Sequence, residues 1–300
     1  TAVGFEAGKS VSTGVNNTIV GGLAGDALTT GEGSIAIGKS ALSATTVGHD
    51  NVAIGKETLA SNVLGSSSIA IGSLALQDQA PSGTGNMYNI AIGHHAGKQI
   101  TSGVENTIMG GLAGDALTTG NYNIAIGTHA LSTEDTSSGN VAVGYQALRN
   151  QDNNANAFNV AVGFDAGKTI TTGVQNTIVG SNAGDALTTG SFNVAIGYSA
   201  LGLEDAHGKN TAIGWGALDT LNAGANGNNV ALGYNSGTAM TTGLQNTCIG
   251  TEAGDALTTG DNNIIIGFGA DASTVGADNE TVIGTTATTS ALVHGLKQPV

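Results

Sequence analysis

The side chains that could carry out acid–base, nucleophilic or metal chemistry are few, and their spacing does not group them. Histidine occurs six times, at His49, His94, His95, His129, His207 and His294. Only His94 and His95 are adjacent, and because neighbours on a strand point to opposite faces, we expect that they do not bind one metal ion together. A catalytic site needs a nucleophile, a base and an orienting group in one pocket. Since no such set stands out, the sequence predicts no catalytic residues, no cofactor and no enzymatic activity.

Aspartates recur at one position of a repeated segment, Ala-Gly-Asp-Ala-Leu-Thr-Thr-Gly. They are Asp26, Asp115, Asp185 and Asp255. Successive copies are 89, 70 and 70 residues apart, which in the coiled repeat described below separates them by about 19 Å or more, too far to share a cation. The alternative is Ca²⁺ binding at a single aspartate, but the dense Asp pattern of calcium-binding β-rolls is missing. We therefore predict no metal site.

Aromatic residues are distributed more regularly, because all eleven flank a recurring segment of the form Asn-x-Ala-Ile-Gly. Seven follow its glycine directly: Phe5, Tyr145, Phe164, Tyr198, Trp215, Tyr234 and Phe268. Four precede its first residue: Tyr88, Tyr122, Phe158 and Phe192. They indicate either a packing ladder that shields a corner of the fold or exposed rings that stack on sugars. The candidate glycan contacts are Tyr145, Tyr198, Trp215 and Tyr234.

The recurring segment marks the turns of a repeat protein. Its terminal glycines are Gly4, Gly21, Gly38, Gly55, Gly72, Gly93, Gly110, Gly127, Gly144, Gly163, Gly180, Gly197, Gly214, Gly233, Gly250, Gly267 and Gly284. Most successive glycines are 17 residues apart, and the exceptions are one interval of 21 residues and two of 19. A solenoid tolerates such insertions by bulging one connection outward while the stacked coils keep their register. We predict an all-β, parallel β-solenoid (a β-roll or β-helix) of about 17 coils over residues 1–284, with a cap or transition segment over residues 285–300.

Each coil is expected to contain one short strand with two apolar faces. In the segment from Asn193 to Gly197, Val194 and Ile196 point to one side of the strand and Ala195 to the other. One face can pack inside the coil. The other face needs a cover, which a sister chain lying along the rod would supply by burying apolar surface. The sequence therefore predicts an oligomer.

The glycine and the asparagine of the segment are predicted to be structural. Representative anchors are Gly38, Gly55, Gly127, Gly197, Asn51, Asn123 and Asn193. Asparagine can cap a turn or adopt a left-handed φ, and stacked amides can also bond along the rod. Three residues after the glycine, alanine occupies 15 of 17 coils. A position that accepts so little volume indicates either a narrow coil interior or a tight contact between chains.

Composition and charge exclude several classes of partner. Glycine supplies 49 of 300 residues and charged residues only 10%, unlike an average globular enzyme. The formal charge is −14, which repels nucleic acids and anionic membranes. No apolar run approaches the ~20 residues that span a bilayer. We therefore expect no nucleic-acid partner and no membrane insertion of this segment, and the single cysteine, Cys248, allows no internal disulfide.

The strand segment also resembles known repeats. Asn-Val-Ala-Ile-Gly at 51–55 and 193–197, followed by x-x-Ala, is similar to the head repeat of trimeric autotransporter adhesins, although the adhesin coils are usually shorter than the coils of this chain. The 17-residue coils with Asn-Thr-x-Ile-Gly-x-x-Ala-Gly, at 176–184 and 246–254, look more like repeats in bacteriophage tail fibres. Val282-Ile283-Gly284 and the Thr-rich run after it resemble the stretch before a C-terminal intramolecular chaperone of such fibres.

This resemblance implies a side-by-side homotrimer that forms the shaft or receptor-binding part of a phage tail fibre on the virion surface. Its partners would be its own sister chains and a host surface glycan or protein receptor. The alternatives are the head of a bacterial trimeric autotransporter adhesin, at the bacterial cell surface, and a subunit of a self-assembling extracellular filament. The apolar double face of the strand supports an oligomer but does not choose among these functions.

Overall fold

The computed structural model describes residues 1–204 and 206–288, and every regular element within them is a β-strand. The strands are β1 (Ala2–Val3), β2 (Thr18–Val20), β3 (Ile35–Ile37), β4 (Val52–Ile54), β5 (Gly65–Ser66), β6 (Ile69–Ile71), β7 (Gly85–Asn86), β8 (Ile90–Ile92), β9 (Thr107–Met109), β10 (Ile124–Ile126), β11 (Val141–Val143), β12 (Val160–Val162), β13 (Thr177–Val179), β14 (Val194–Ile196), β15 (Thr211–Ile213), β16 (Val230–Leu232), β17 (Thr247–Ile249), β18 (Ile264–Ile266) and β19 (Thr281–Ile283). Most of the predicted C-terminal cap or transition segment, residues 289–300, lies outside the described part of the chain.

Seventeen of these strands form one parallel sheet, in which each strand pairs with the strand of the next coil. Val194 lies beside Thr211, one period later in the chain. Across the interval of 21 residues, Ile71 of β6 still pairs with Ile92 of β8. The inserted residues therefore leave the sheet register intact, and β5 and β7, near this insertion, pair only with each other. The predicted parallel β-solenoid of about 17 coils is confirmed.

The interior of the rod is narrow and is lined by small and medium apolar side chains. In the three-residue strands from β2 to β18 the central residue points inward and is buried, and Ala195, for example, has no exposed surface. The alanine three residues after the glycine is also inside, as at Ala200. Of the two interpretations of this alanine, a narrow interior is therefore the correct one.

Large side chains enter this interior at complementary places in successive coils. In the coil of Gly180 the strand centre is Ile178, Gly184 leaves room for it, and Leu187 fills the far end. A Cβ on Gly184 would lie 3.1 Å from Ile178 Cδ1. In the next coil the strand centre is Ala195, and Leu201, at the position equivalent to Gly184, supplies the volume instead. Close packing is thus maintained by exchanging volume between positions rather than by repeating one side chain.

The anchor glycines are required by the backbone itself. Gly38, Gly55, Gly127 and Gly197 have φ values between +132° and +136°, a region that side chains of L-residues rarely adopt. A Cβ on Gly197 would also lie only 2.3 Å from the carbonyl oxygen of Gly214 in the next coil. Coils can therefore stack at strand spacing only if this position lacks a side chain.

The anchor asparagines form a ladder inside the rod. Asn51, Asn123 and Asn193 have no exposed surface. The side-chain oxygen of Asn193 accepts a hydrogen bond from the N–H of Asn210 in the next coil at 3.0 Å, and its amide donates to the carbonyl of His207 at 3.1 Å. Bonding of amides along the rod is confirmed.

The left-handed backbone conformation lies one residue earlier than expected. It belongs to the residue before the anchor asparagine, such as Asp50, Tyr122 and Phe192, with φ values of 54°, 60° and 64°. The asparagines themselves do not have positive φ, because their side chains must turn inward to reach the next coil. The expectation that asparagine adopts the left-handed φ was therefore wrong.

Candidate functional site: the outer face of the strand sheet

The outer face, defined by the first and third residue of each three-residue strand, is a mostly apolar surface that runs the length of the described rod, and threonine occupies the first position in six strands. In β14, Val194 and Ile196 are half-buried while the residue between them is fully buried. Other residues on this side of the rod are more exposed, such as Val3 of the two-residue strand β1, Leu232 and Ile264 at 59%, 45% and 43%. Strands three residues wide, stacked at about 4.8 Å over this length, give a face of roughly 800 Å². Contiguous apolar patches of this size are uncommon on monomers.

Two rows of aromatic side chains border this face, and all eleven rings are exposed. The Gly-side row consists of the seven rings that follow an anchor glycine: Phe5, Tyr145, Phe164, Tyr198, Trp215, Tyr234 and Phe268. The Asn-side row consists of the four rings that precede an anchor asparagine: Tyr88, Tyr122, Phe158 and Phe192. The strand and its two flanking rows therefore make one broad surface with aromatic edges.

Rings of the Gly-side row stack on one another where they occupy adjacent coils. Tyr198 and Trp215 have centroids 5.8 Å apart, and Trp215 and Tyr234 are 5.1 Å apart, with interplanar angles of 11° and 15°. Tyr145 stacks on Phe164 in the same way, at 5.2 Å. A ring stacked between two neighbours, such as Trp215, has its faces partly covered and presents mainly its edge to solvent. The predicted packing ladder is present, and the candidate glycan contacts belong to it.

Rings of the Asn-side row have a different setting. Among the described residues, none of the four stacks on another aromatic ring, and they are 52% to 59% exposed. Phe158 lies across Gly139 of the preceding coil, where a Cβ would come within 2.6 Å of the ring. The phenol of Tyr88 accepts a hydrogen bond from the Asn86 amide at 2.7 Å. All four have left-handed φ values between 50° and 64°, which costs a bulky residue about 1 kcal/mol.

The adjacent histidines do not point to opposite faces. The rings of His94 and His95 stack with centroids 4.0 Å apart and an interplanar angle of 13°. Both follow the anchor Gly93 in the turn, whereas the strand ends at Ile92, so the alternation of a strand does not apply to them. Partial burial, and then the neighbouring His94, lower the pKa of His95.

The other described histidines lie at separate places on the rod. His49 is exposed, and its Nδ1 accepts a hydrogen bond from the Glu32 N–H at 3.2 Å. His207 is half-buried, with Nδ1 3.1 Å from a carboxylate oxygen of Glu204. His129 is partly buried. His294 lies outside the described residues.

The recurring aspartates occupy half-buried corners in separate coils. Burial raises the pKa of Asp115 and of Asp185 above the usual range for aspartate. Asp255 lies beside Asp271, and burial, followed by the hydrogen bond and charge of Asp255, raises the pKa of Asp271 to about 6. The four aspartates remain coils apart, since the sheet register keeps successive coils in order.

Two buried glutamates were missed by the sequence reasoning. Glu134 and Glu204 have no exposed surface, at the position where Leu187 fills another coil. The carboxylate of Glu134 accepts hydrogen bonds from the Ser137 N–H at 2.8 Å and the Gln151 amide at 2.9 Å. The only available signal was a charged residue at a position that is leucine in other coils.

The carboxylates of Glu134, Asp135 and Asp152 lie within 4.8 Å of one another. Most of the oxygen-accepting capacity of Glu134 is used by N–H donors, which include the backbone N–H groups of Thr136 and Asn153. We interpret this corner as a hydrogen-bonded turn that closes a coil around a buried carboxylate.

The remaining nucleophile is enclosed. Cys248 occupies the centre of strand β17 and is 1% exposed. Burial raises the pKa of its thiol to about 12, so the reactive thiolate is scarce at neutral pH. Within residues 1–204 and 206–288 there is no helix of the length and apolarity needed to cross a membrane.

No protein-family model and no curated protein matches the chain. The functional interpretation therefore depends on the rod, its outer face and the two aromatic rows.

Proposed function

We propose that the chain is a structural fibre and adhesion protein: the shaft or receptor-binding part of a homotrimeric phage tail fibre that contacts the host surface. The observation that carries the proposal is the outer face, a predominantly apolar strip along a parallel β-solenoid, in which the third residue of every three-residue strand is apolar. Its estimated area of roughly 800 Å² equals what one partner buries in a stable interface. Such a strip on a rigid rod is suited to side-by-side packing of identical chains in register.

Fibre function also agrees with the shape and the chemistry of the rod. Seventeen stacked strands span roughly 80 Å. Backbone hydrogen bonds and the asparagine ladder connect each coil to the next, so we expect the rod to be stiff along its length. The resemblance of the 17-residue repeat to phage tail-fibre repeats favours the virion surface as its location.

Contact with a host glycan or protein receptor is the second part of the proposal. The candidate glycan contacts Tyr145, Tyr198, Trp215 and Tyr234 are 44% to 49% exposed on one edge of the outer face. An exposed ladder of aromatic rings offers large contact area at little cost in conformational entropy. A net charge of −14 disfavours polyanionic receptors.

A bacterial trimeric autotransporter adhesin is the second candidate, favoured by the Asn-Val-Ala-Ile-Gly segments. It would share the trimer and the adhesive role and would differ in the location of the protein. Antibody labelling of purified virions separates the two: labelled fibres support the tail fibre, and labelling of bacterial outer membranes supports the adhesin.

The oligomer is tested by sedimentation equilibrium. We expect three times the chain mass of 29.3 kDa. The triple variant Val194→Thr, Ile196→Thr and Ile213→Thr should weaken association while the rod stays folded, because threonine already occupies the outer face at Thr211. Val63→Thr is the matched control, since Val63 is 40% exposed but lies outside the strand face, at a position that is threonine in the preceding coil. A monomeric wild-type chain would refute the trimer.

A further inference from the structure

The Asn-side row places four exposed aromatic side chains at a position where the backbone of the described coils is left-handed. Some coils place asparagine, aspartate or glycine at the same position, as at Asn16, Asp50 and Gly33, and these are the residue types that tolerate a left-handed φ best. Other coils place serine, lysine, glutamate or glutamine there with the same left-handed φ. The four aromatic residues take the same φ without that tolerance. Burial of the ring does not offset the cost of this φ, because each ring remains more than half exposed. Because the fold accepts polar residues of several types at this position, four exposed rings there point to a function that the fold does not require.

The row is also regular. Tyr88, Tyr122, Phe158 and Phe192 occupy every second coil, so successive rings are spaced by about 9.6 Å along the rod. Between them lie Glu105, Gly139 and Gln175. Glu105 and Gln175 are exposed and make no side-chain hydrogen bond to other described residues. The surface therefore alternates an apolar ring with a free hydrogen-bonding group or a gap.

The ring faces of this row are accessible, in contrast to those of the Gly-side row. Phe158 lies over the backbone of Gly139, which leaves its other face to solvent. Trp215, by contrast, has a ring on each side. Stacking of a flat ligand needs an open face, so the Asn-side row is the better platform.

We infer that the Asn-side row binds a neutral, extended polysaccharide that runs parallel to the rod. In a linear chain of equatorially linked hexoses, every second residue turns the same apolar C–H face to one side, which suits rings placed on every second coil. Hydroxyl groups between the stacked sugars would bond to Glu105 and Gln175. The net charge of −14 selects a neutral polymer over a polyanion.

A sister chain is a poorer occupant of the row. The centre of a protein interface is depleted of charged residues, whereas Glu105 and Lys209 occupy the equivalent position in coils next to these rings. The outer face beside it is mostly apolar and carries no charged residue in its strands, and it serves as the subunit contact in the proposed trimer. The inference deepens the receptor contact of the proposed function, and in that sense it depends on it, but the binding itself can be measured whatever the oligomeric state.

The test is titration calorimetry of the full chain with cellohexaose and with chitohexaose, neutral β-(1→4)-linked oligosaccharides. We expect binding of at least one of them, and weaker binding of the matching disaccharide, which cannot reach two rings. The variant Tyr88→Asn, Tyr122→Asn, Phe158→Asn and Phe192→Asn should lose affinity by at least about tenfold. It should remain folded, because asparagine suits the left-handed φ.

The matched control replaces exposed rings that are not candidate glycan contacts. The double variant Phe5→Thr and Phe268→Thr removes two isolated rings of the Gly-side row, each 75% exposed, uses the residue found at the equivalent Thr128 and Thr251, and should leave the affinity unchanged. Absence of binding to both hexasaccharides, or equal affinity in the asparagine variant, would overturn the inference. So would dissociation of the oligomer in the asparagine variant, since the row would then be a subunit contact. A monomer that binds the hexasaccharide would refute the trimer and leave this inference standing.

Discussion

The wall of the rod places two very different residues side by side in the chain. Asn193 is fully buried and bonded to the next coil, while Phe192, its neighbour, is 53% exposed. The inner position is asparagine or serine in the coils from Asn17 to Asn263, whereas the outer position ranges from glycine to phenylalanine. Inside, each side chain must satisfy a backbone group of the neighbouring coil. Outside, no coil constrains the side chain, so the surface is available for binding.

The largest loss of stability is expected at an anchor glycine, where the next coil leaves no room for a side chain. Gly197→Ala introduces a Cβ 2.3 Å from the Gly214 carbonyl oxygen at a φ of +136°. We expect a loss of about 3 kcal/mol or more in the free energy of unfolding, measured by urea denaturation followed by circular dichroism. Gly111→Ala is the control, because nothing lies within 4 Å of its Cβ. Equal stability of the two variants would contradict the requirement for glycine at the coil contact.

A smaller loss of stability is expected when one asparagine of the ladder is replaced. Asn193→Ala leaves the Asn210 N–H and the His207 carbonyl without their bonds, and an unsatisfied buried group costs about 2 kcal/mol. Asn193→Ser should lose less, because Ser34 occupies the same position and accepts a hydrogen bond from the Asn51 N–H at 3.3 Å. The same denaturation experiment compares them, and an alanine variant as stable as the wild type would show that the ladder does not hold the coils.

Replacement of an exposed ring should change the free energy of unfolding least, and in the opposite direction. Phe192→Asn removes a bulky residue from a left-handed φ of 64°, so we expect an unchanged or slightly higher free energy of unfolding, by less than about 1 kcal/mol. Thermal melting of the variant beside the wild type measures this. A clear loss of stability would mean that the ring is part of the packing, and the contrast between the two walls would fail.

Much of the fold could be predicted from the sequence because its determinants are local and repeated. The spacing of glycines such as Gly38 and Gly55 predicted the coils and their register. The alternation in Val194, Ala195 and Ile196 predicted an inner and an outer face. The candidate site was predicted in part: the aromatic positions were found, but not which rings stack and which have a free face.

Other features could not be predicted, since they depend on contacts between coils. His94 and His95 stack because both follow a glycine in a turn, where strand alternation ends. Glu134 is buried because N–H donors from its own turn and from Gln151 of the next coil surround it. Neither arrangement has a signature in the neighbouring sequence.

The period, the parallel stacking and the two-faced strand could be predicted from residue types alone, because each requires only a residue type at a regular interval. Tertiary structure alone decided which residue of the Phe192–Asn193 pair turns inward and which takes the left-handed φ. The physical reason is that a buried amide must reach the backbone of the next coil, and that partner exists only once the coils have stacked.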